Sequence, residues 1–396
     1  MKQALWIWAA GAAVRLILAF GLGRVDTGWT EVQLIGRSLL ERGEFADPYA
    51  IPTGPTSHTG PVYPAIQALI FAVAGYGVEA ERLRIALTIL LASLEYALMP
   101  WVASRLGLGT WVGAVAGWSG ALVPLHYWGE SMGVFENTLV ALLLALTGWA
   151  GPLLTGEQRA SLRRAAAMGA FAGIVLLVSP SVALSLAALA GVALWRGGVN
   201  PPGLCVAALC AALMLSPWLV RNRLVFGGWS FVRGELGLEL NISNFDGASV
   251  DAEQNVGTEH FRRVHPFVSR KQCLRIREVG ERQVYRERSE EALAWIGSHQ
   301  AEFASLAARR WLRFWVPWSR YWWHRAGLAA VLLLAMAGWI AGGRAGIPLM
   351  LAPLGCSAAA LLVHTSIRYS HPGWWALCLA AGAGAKWVRD KLISSP

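Results

Sequence analysis

Charge is in short supply. Asp, Glu, Lys and Arg make up 15% of the 396 residues, where a soluble protein of this length carries nearer a quarter. With 55% hydrophobic residues and a mean hydropathy of +0.45, the chain is excluded from the class of proteins wetted on all sides. Cysteine is also scarce. There are five, and Cys205, Cys210, Cys356 and Cys378 lie in apolar runs while only Cys273 sits in a polar stretch. That excludes a disulfide framework and a paired-cysteine metal site. The histidines do not fall at His-x-His or His-x-x-x-His spacing, so no metal motif is readable. No internal repeat and no pair of matching halves is visible.

What is present in quantity is long apolar sequence. Runs of about 15 to 22 residues are long enough to cross a hydrocarbon core roughly 30 Å thick. The first covers residues 4–23, with Lys2 inside and no small-residue cleavage site after it, so it reads as a retained span. Others fall at 62–78, 83–104, 109–127, 134–155, 163–178, 180–196, 201–219, 326–343, 346–364 and 372–387. The expected fold is therefore an all-α polytopic membrane protein, a bundle of roughly 10–12 transmembrane helices. Twenty-one Trp residues, with Trp29, Trp128, Trp195 and Trp218 at segment ends, suit interfacial belts. The net charge of +10 is spread through short loops, a pattern that fits anionic lipid head groups or a phosphate-bearing lipid and not nucleic acid.

Two polar stretches interrupt the apolar ones. In the first, residues 24–61, Asp26 and Glu31 stand where the chain leaves the bilayer, and a carboxylate there is costly unless solvated or paired. Glu31–Arg42 reads as a short interfacial helix, with Val32, Ile35 and Leu39 on one face and Gly43 as the stop. The second, residues 221–303, divides an N-terminal membrane module (1–220) from C-terminal helices (304–396). Its glycine-rich opening, Phe226 to Asn241, suggests an extended or turn-rich excursion, and Lys271 to Trp315 reads as a polar surface helix. The basic loop holding Arg159, Arg163 and Arg164 marks one side of the membrane. Counting back from it disagrees with counting forward from the first span unless one run near 62–104 fails to cross. The Pro- and Gly-punctuated run 62–78 is the expected exception.

The opening stretch, with its acid, short helix, Gly43-Glu44-Phe45 and Pro/Thr-rich run into Val62-Tyr63-Pro64, resembles the first external loop of the GT-C glycosyltransferases. Five further blocks agree in order: Val134–Leu139, Leu177–Ser181, Ser216–Asn222 with Phe226-Gly227, Gly237–Asn241 with Asn244, and Ile367–Pro372. The nearest branch is that of bacterial dolichyl-phosphate-mannose protein mannosyltransferase-like (glycosyltransferase family 39-like) membrane proteins. The resemblance implies an active site on the extracytoplasmic face of a bacterial inner membrane. It implies inverting transfer of a sugar from a polyprenyl-phosphate donor to a glycan, lipid or protein acceptor. The family's first-loop acid, fourteen residues before the Phe of Gly-x-Phe, falls on Glu31, and its second-loop acid on Glu136.

Such a transfer needs a base for the acceptor proton and positive charge for the departing phosphate. Glu31 is the expected base; Asp26 either assists or marks the end of the first span. Glu136 is a second acid or a structural partner for an arginine, and Glu130 reads as a solvated loop acid. Arg15, inside the first span, is expected to pair with a buried acid. Arg221, Arg223 and Arg368, with Tyr369 and His371, are the expected phosphate and donor contacts, because guanidinium forks suit phosphate oxygens. The flanking-charge reading stands beside this for Arg221 and Arg223. His58, Asn241 and Asn244 are assigned to the acceptor or sugar side, where turn capping explains the asparagines equally well. No cofactor is required; a divalent cation on His58 with Glu31 or Asp26 is the variant of that scheme. The rival class is a non-catalytic carrier or scaffold for lipid-linked saccharides.

Overall fold

The computed structural model describes residues 2–21, 29–127, 134–316, 319 and 321–394, without the side chains of residues 20, 21 and 134–136. Asp26 and Glu130 therefore lie outside the described residues, as does the side chain of Glu136. Among the described residues every regular element is helical, and the only β pairing is two isolated bridges, Ala46 with Pro55 and Asp251 with Thr365.

The chain begins with α1 (Lys2–Gly21), α2 (Glu31–Arg42), α3 (Val62–Ala74), α4 (Val78–Arg105) and α5 (Thr110–Leu122). It continues through α6 (Val134–Leu154), α7 (Leu162–Val178), α8 (Ala183–Trp195) and α9 (Pro201–Phe226). The polar insertion supplies α10 (Leu236–Ser243), α11 (Ala252–Val256), α12 (Glu259–Val264), α13 (Arg270–Val279), α14 (Glu281–Ser298) and α15 (Gln300–Trp315). Then follow α16 (Trp322–Ala341), α17 (Gly346–Ser357) and α18 (Ile367–Ser394). Five segments of the described chain are long and apolar enough to cross a membrane: Val78–Arg105, Asn137–Leu154, Pro201–Phe226, Trp322–Ala341 and Gly343–Leu361. The chain is an integral membrane protein built as a polytopic helical bundle.

α3 has 13 residues. At about 1.5 Å per residue it measures roughly 20 Å, well short of a hydrocarbon core of about 30 Å. Gly75, at φ 71°, ends it, and it lies against α2. With α3 left out of the count, the first polar loop, the insertion and the start of α18 all emerge at one end of the bundle. The short loops at 106–109, 155–161, 196–200 and 342–345 gather at the other.

The axis of the bundle is α18, buried from Ser370 to Gly384. In lipid, helices are held by close packing and not by apolar transfer, so small residues matter where axes approach. A Cβ on Gly338 of α16 would sit 1.8 Å from the Ala380 carbonyl oxygen, and one on Gly384 would sit 2.0 Å from that of Leu334. Ile7, Tyr96, Met99, Val102, Leu144, Trp375 and Leu379 fill the space between α1, α4, α6 and α18. Arg15 donates to the carbonyls of Gly120 (3.2 Å) and Ala121 (3.3 Å) at the end of α5 and lies 4.8 Å from the centre of the Tyr96 ring. A helix C-terminus carries partial negative charge and accepts a cation readily.

The insertion departs from expectation in two places. The excursion after α9 is a nine-residue turn segment, 227–235, followed by helix from Leu236. The single surface helix is three helices, because Gly280 takes φ +85° and His299 interrupts the next junction.

Candidate active site

The site is assembled at the insertion end of the bundle, beginning with α2. Thr30 caps this helix, and a capping box with Gln33 (Thr30 N–H to Oε1, 2.8 Å) fixes its first turn. Glu31 is thereby the first helical residue, with Gly43 in the left-handed region at the other end. Its carboxyl lies within electrostatic range of His58, Glu235 and Arg368, from three other stretches of chain. Burial raises its pKa above the ordinary 4.5; His58 and its own backbone N–H work the other way. The effect on the ionised form follows from the loss of water around it.

The loop bearing His58 is pinned from several sides. Asp47 Oδ1 accepts from the backbone N–H groups of Thr53 (2.8 Å) and Gly54 (2.7 Å), closing a turn between them. Glu281, at the start of α14, accepts from Thr56 Oγ1 (2.5 Å), Ser57 N–H (2.7 Å) and Ser57 Oγ (2.8 Å). Burial raises the Glu281 pKa, against the pull of those hydrogen bonds. Arg221 donates to the carbonyls of Thr56 (2.7 Å) and Phe45 (3.0 Å). The backbone N–H of Gly234 donates to Ser57 O (2.7 Å), an approach so close that a Cβ on Gly234 would fall 2.1 Å from Ser57 Oγ.

Held in this way, His58 is buried, with Nδ1 3.0 Å from Tyr285 Oη, 3.3 Å from Tyr49 Oη and 3.1 Å from Glu235 Oε2. The two tyrosine hydroxyls also meet each other. Burial lowers the His58 pKa, so the ring is neutral at neutral pH, although Glu31 and Glu281 favour its charged form. His265 closes the next side, 6.2 Å from His58 between ring centres, its own pKa pushed down to about 3 by burial.

The turn after α9 brings in the opposing charges. Asn222 and Trp218 donate to the carbonyls of Phe231 (3.0 Å) and Val232 (2.9 Å). The next residue, Arg233, pairs with the buried Glu235. Burial raises the Glu235 pKa well above the usual carboxylate range, while Arg233 opposes this and Glu239 adds to it. Glu239, one helical turn along α10, lies 3.8 Å from His364 Nε2. Arg368 opens α18, donating from Nη2 to Tyr369 Oη (3.1 Å), with its guanidinium carbon 5.0 Å from that ring's centre. Four carboxylates, two guanidiniums, an imidazole and tyrosine hydroxyls thus converge from α2, the first loop, the turn before α10, α14 and α18.

Of the residues expected from sequence, Glu31, His58, Arg368 and Tyr369 come together. Arg221 braces the first loop, its fork occupied by carbonyls and framed by Phe45, Trp218 and Phe226. Arg223 is exposed and has no part in the cluster. His371 lies inside the bundle, its Nε2 3.0 Å from Glu95 Oε2 and its ring stacked on His126, because it falls a turn deeper along α18 than Arg368. Asn244 Oδ1 accepts from Arg310 (3.0 Å), and Asn241 Nδ2 donates to Glu291 (3.0 Å), both away from Glu31. Residues that sequence reasoning missed are Arg233, Glu235, Glu239, Glu281, Tyr49 and Tyr285. Arg233-Gly234-Glu235 stood in the sequence as a charged pair in a glycine-rich turn, the one available signal. Among the described residues no group of three or more His, Cys, Asp or Glu side chains is arranged for a metal ion.

A polytopic helical bundle with polar loops and an insertion gathered over one end has counterparts among solved structures. The chain is similar to the archaeal oligosaccharyltransferase AglB from Archaeoglobus fulgidus in complex with an inhibitory peptide and a dolichol-phosphate, at 15% identity and a TM-score of 0.50. The match covers 98% of this chain and 50% of that one. The apo form of the Archaeoglobus fulgidus oligosaccharyltransferase matches at 13% identity and a TM-score of 0.50, over 98% of this chain and 51% of that one. The chain thus spans about half the length of these neighbours, and the likeness is one of fold. No family model and no curated protein matches the sequence.

Proposed function

We propose that the chain is a membrane glycosyltransferase of the GT-C class. In this reading it moves a sugar from a polyprenyl-phosphate-linked donor to an acceptor on the extracytoplasmic face, with inversion at the anomeric carbon. The observation that carries it is the meeting of Glu31 with His58, Glu235 and Arg368 at the loop-bearing end of the bundle. A base whose pKa is lifted toward the working pH takes a proton most effectively. Glu31, half-buried at the head of α2, fits that role. Arg368 and Arg233 both lie in the field of Glu235 within the cluster. We assign them to the phosphate in place of Arg221, whose fork is already filled. The Glu235–His58–Tyr285 chain orients the site and excludes water from behind it.

In this scheme an acceptor hydroxyl gives its proton to Glu31 as its oxygen attacks the anomeric carbon. The bond to the phosphate oxygen breaks on the opposite face, and the guanidiniums take up the charge that develops there. The dolichol-phosphate bound by the archaeal neighbour supports a lipid-phosphate donor. The mannosyltransferase-like branch and a bacterial inner membrane are the finer readings that we attach to it. The positive loops at 159–164 and 196, opposite the site, support the extracytoplasmic face.

Purified protein supplied with radiolabelled polyprenyl-phosphate sugars tests this. Wild type should release and transfer the sugar, and Glu31→Gln should lose about 10²- to 10⁴-fold in turnover. Equal rates would remove Glu31 as the base, and no turnover with any donor would favour the carrier or scaffold.

A further inference from the structure

The insertion contains a second concave site, on the reverse of the helix that lines the first. Glu235 and Glu239, one turn apart at the start of α10, face the Glu31 cluster. Asn241 is two residues further on, so it points to the opposite face. There it bounds a cavity of about 650 Å³. That volume is within the range of small-molecule sites, about 300–1,000 Å³.

The lining is of two kinds. Aromatic surface comes from His260, stacked on Phe245 (ring centres 4.1 Å apart, planes 7° apart), and from Trp295. Trp295 is held in place, its indole N–H donating to Asp246 Oδ1 (2.6 Å) and His299 stacked against its ring at 4.9 Å. Around these rings stand Asp246, Glu259 and Arg263, all exposed. The polar wall is internally braced: Asn241 accepts from His260 Nε2 (3.0 Å) and donates to Glu291, which also takes a bond from Arg288 (2.6 Å). A pre-set indole beside three carboxylates, two of them already engaged by Trp295, Asn241 and Arg288, and one guanidinium matches a ligand with flat C–H faces and many hydroxyls to donate to those acids. Three carboxylates, those of Asp246, Glu259 and Glu291, line the cavity against the one guanidinium of Arg263, and that excess of negative charge argues against an anionic lipid head group.

We propose that this groove binds a neutral saccharide, separately from the transfer site. That the bound chain is the glycan being transferred or extended rests on the glycosyltransferase reading; saccharide binding itself does not. With α10 as the common wall, a glycan seated on Trp295 would present its neighbouring residues toward the end of the helix nearest Glu239.

The test uses the full-length protein in lipid nanodiscs and saturation-transfer difference NMR. The probes are neutral trisaccharides of glucose, mannose, galactose and N-acetylglucosamine. At least one should give signals in wild type and equally in Glu31→Gln. Trp295→Ala should reduce them tenfold or more, and Trp295→Phe should keep most of them. A thermal unfolding midpoint for Trp295→Ala matching wild type excludes misfolding as the cause. Binding by none of the four probes overturns the proposal. So do signals that survive Trp295→Ala but vanish in Glu31→Gln, which would place the sugar at the transfer site. A basic or acidic peptide binding in place of every saccharide also overturns it. Turnover that is indifferent to Glu31→Gln, with groove binding intact, would remove the catalytic reading and leave this one standing.

Discussion

Both ends of the bundle are rich in arginine, and what faces each guanidinium separates them. At the end away from the site, Arg105, Arg164, Arg196 and Arg344 all converge on the last turns of α6. They donate to the carbonyls of Gly148 (3.2 Å), Trp149 (2.7 Å), Leu154 (2.6 Å) and Thr155 (3.2 Å). They cap a helix C-terminus, satisfying orphan oxygens where the dipole is negative. At the site end, Arg233 instead faces the carboxylates of Glu235 and Glu239, and Arg368 lies in the field of Glu31. Buried ion pairs are expensive to assemble and give little stability for their cost. Their concentration at one end points to work other than holding helices together. Arg221 shows that position alone does not decide the matter: it stands at the site end and behaves like the capping arginines.

The comparison can be broken most sharply at Arg368. Arg368→Ala should cost roughly 10²- to 10³-fold in sugar transfer, the scale of losing a preorganised charge at a leaving group, while Arg344→Ala should leave turnover unchanged. Comparable losses from both in a radiolabel assay would end the distinction. Next comes Glu281→Ala, which strands Thr56 and Ser57 donors in the interior. It should destabilise by about 3 kcal/mol, read as a lowered unfolding midpoint in detergent. A smaller effect falls on the pH profile. As the proposed base Glu31 would act deprotonated, and burial raises its pKa, so turnover should fall with acid at a pH above the ordinary 4.5. A limb at or below that value would say the carboxyl is solvated. Smallest is Arg196→Ala, expected to cost about 1 kcal/mol for its lost hydrogen bond, with transfer unaffected and the loss visible only in the melting curve.

Much of the architecture was legible. Apolar run length alone called for a helical membrane bundle, and the Glu31–Arg42 helix with its Gly43 stop stands with those bounds because capping residues and a glycine are local signals. Glu31, His58 and Arg368 each stood out in the sequence as candidates with separate roles, and their meeting is a product of the fold. What was hidden depends on contacts between distant residues. Glu281 is an ordinary acid in a charge-rich helix until the fold sets it against Thr56. Arg221 and Arg233 are both arginines near the end of α9, and residue type does not say whether a carbonyl or a carboxylate will face them. The break at Gly280 passed unnoticed because the flanking segments share one polar composition. The first-loop and insertion sides agree only because α3 is too short to cross, a length visible in its Pro64 and Gly75 punctuation.

The bond from Glu281 to Thr56 spans 225 residues of chain. During synthesis, residues 29–61 are made early, yet the clamp that sets His58 is absent until α14 has emerged, and Arg368 follows later still. The nascent protein therefore carries the proposed base long before it carries the groups that surround it in the folded site. A truncated product ending before residue 281 would be inserted but inert. On the proposed glycosyltransferase reading, such late completion, set by the order of translation, would protect lipid-linked sugar from a half-made chain.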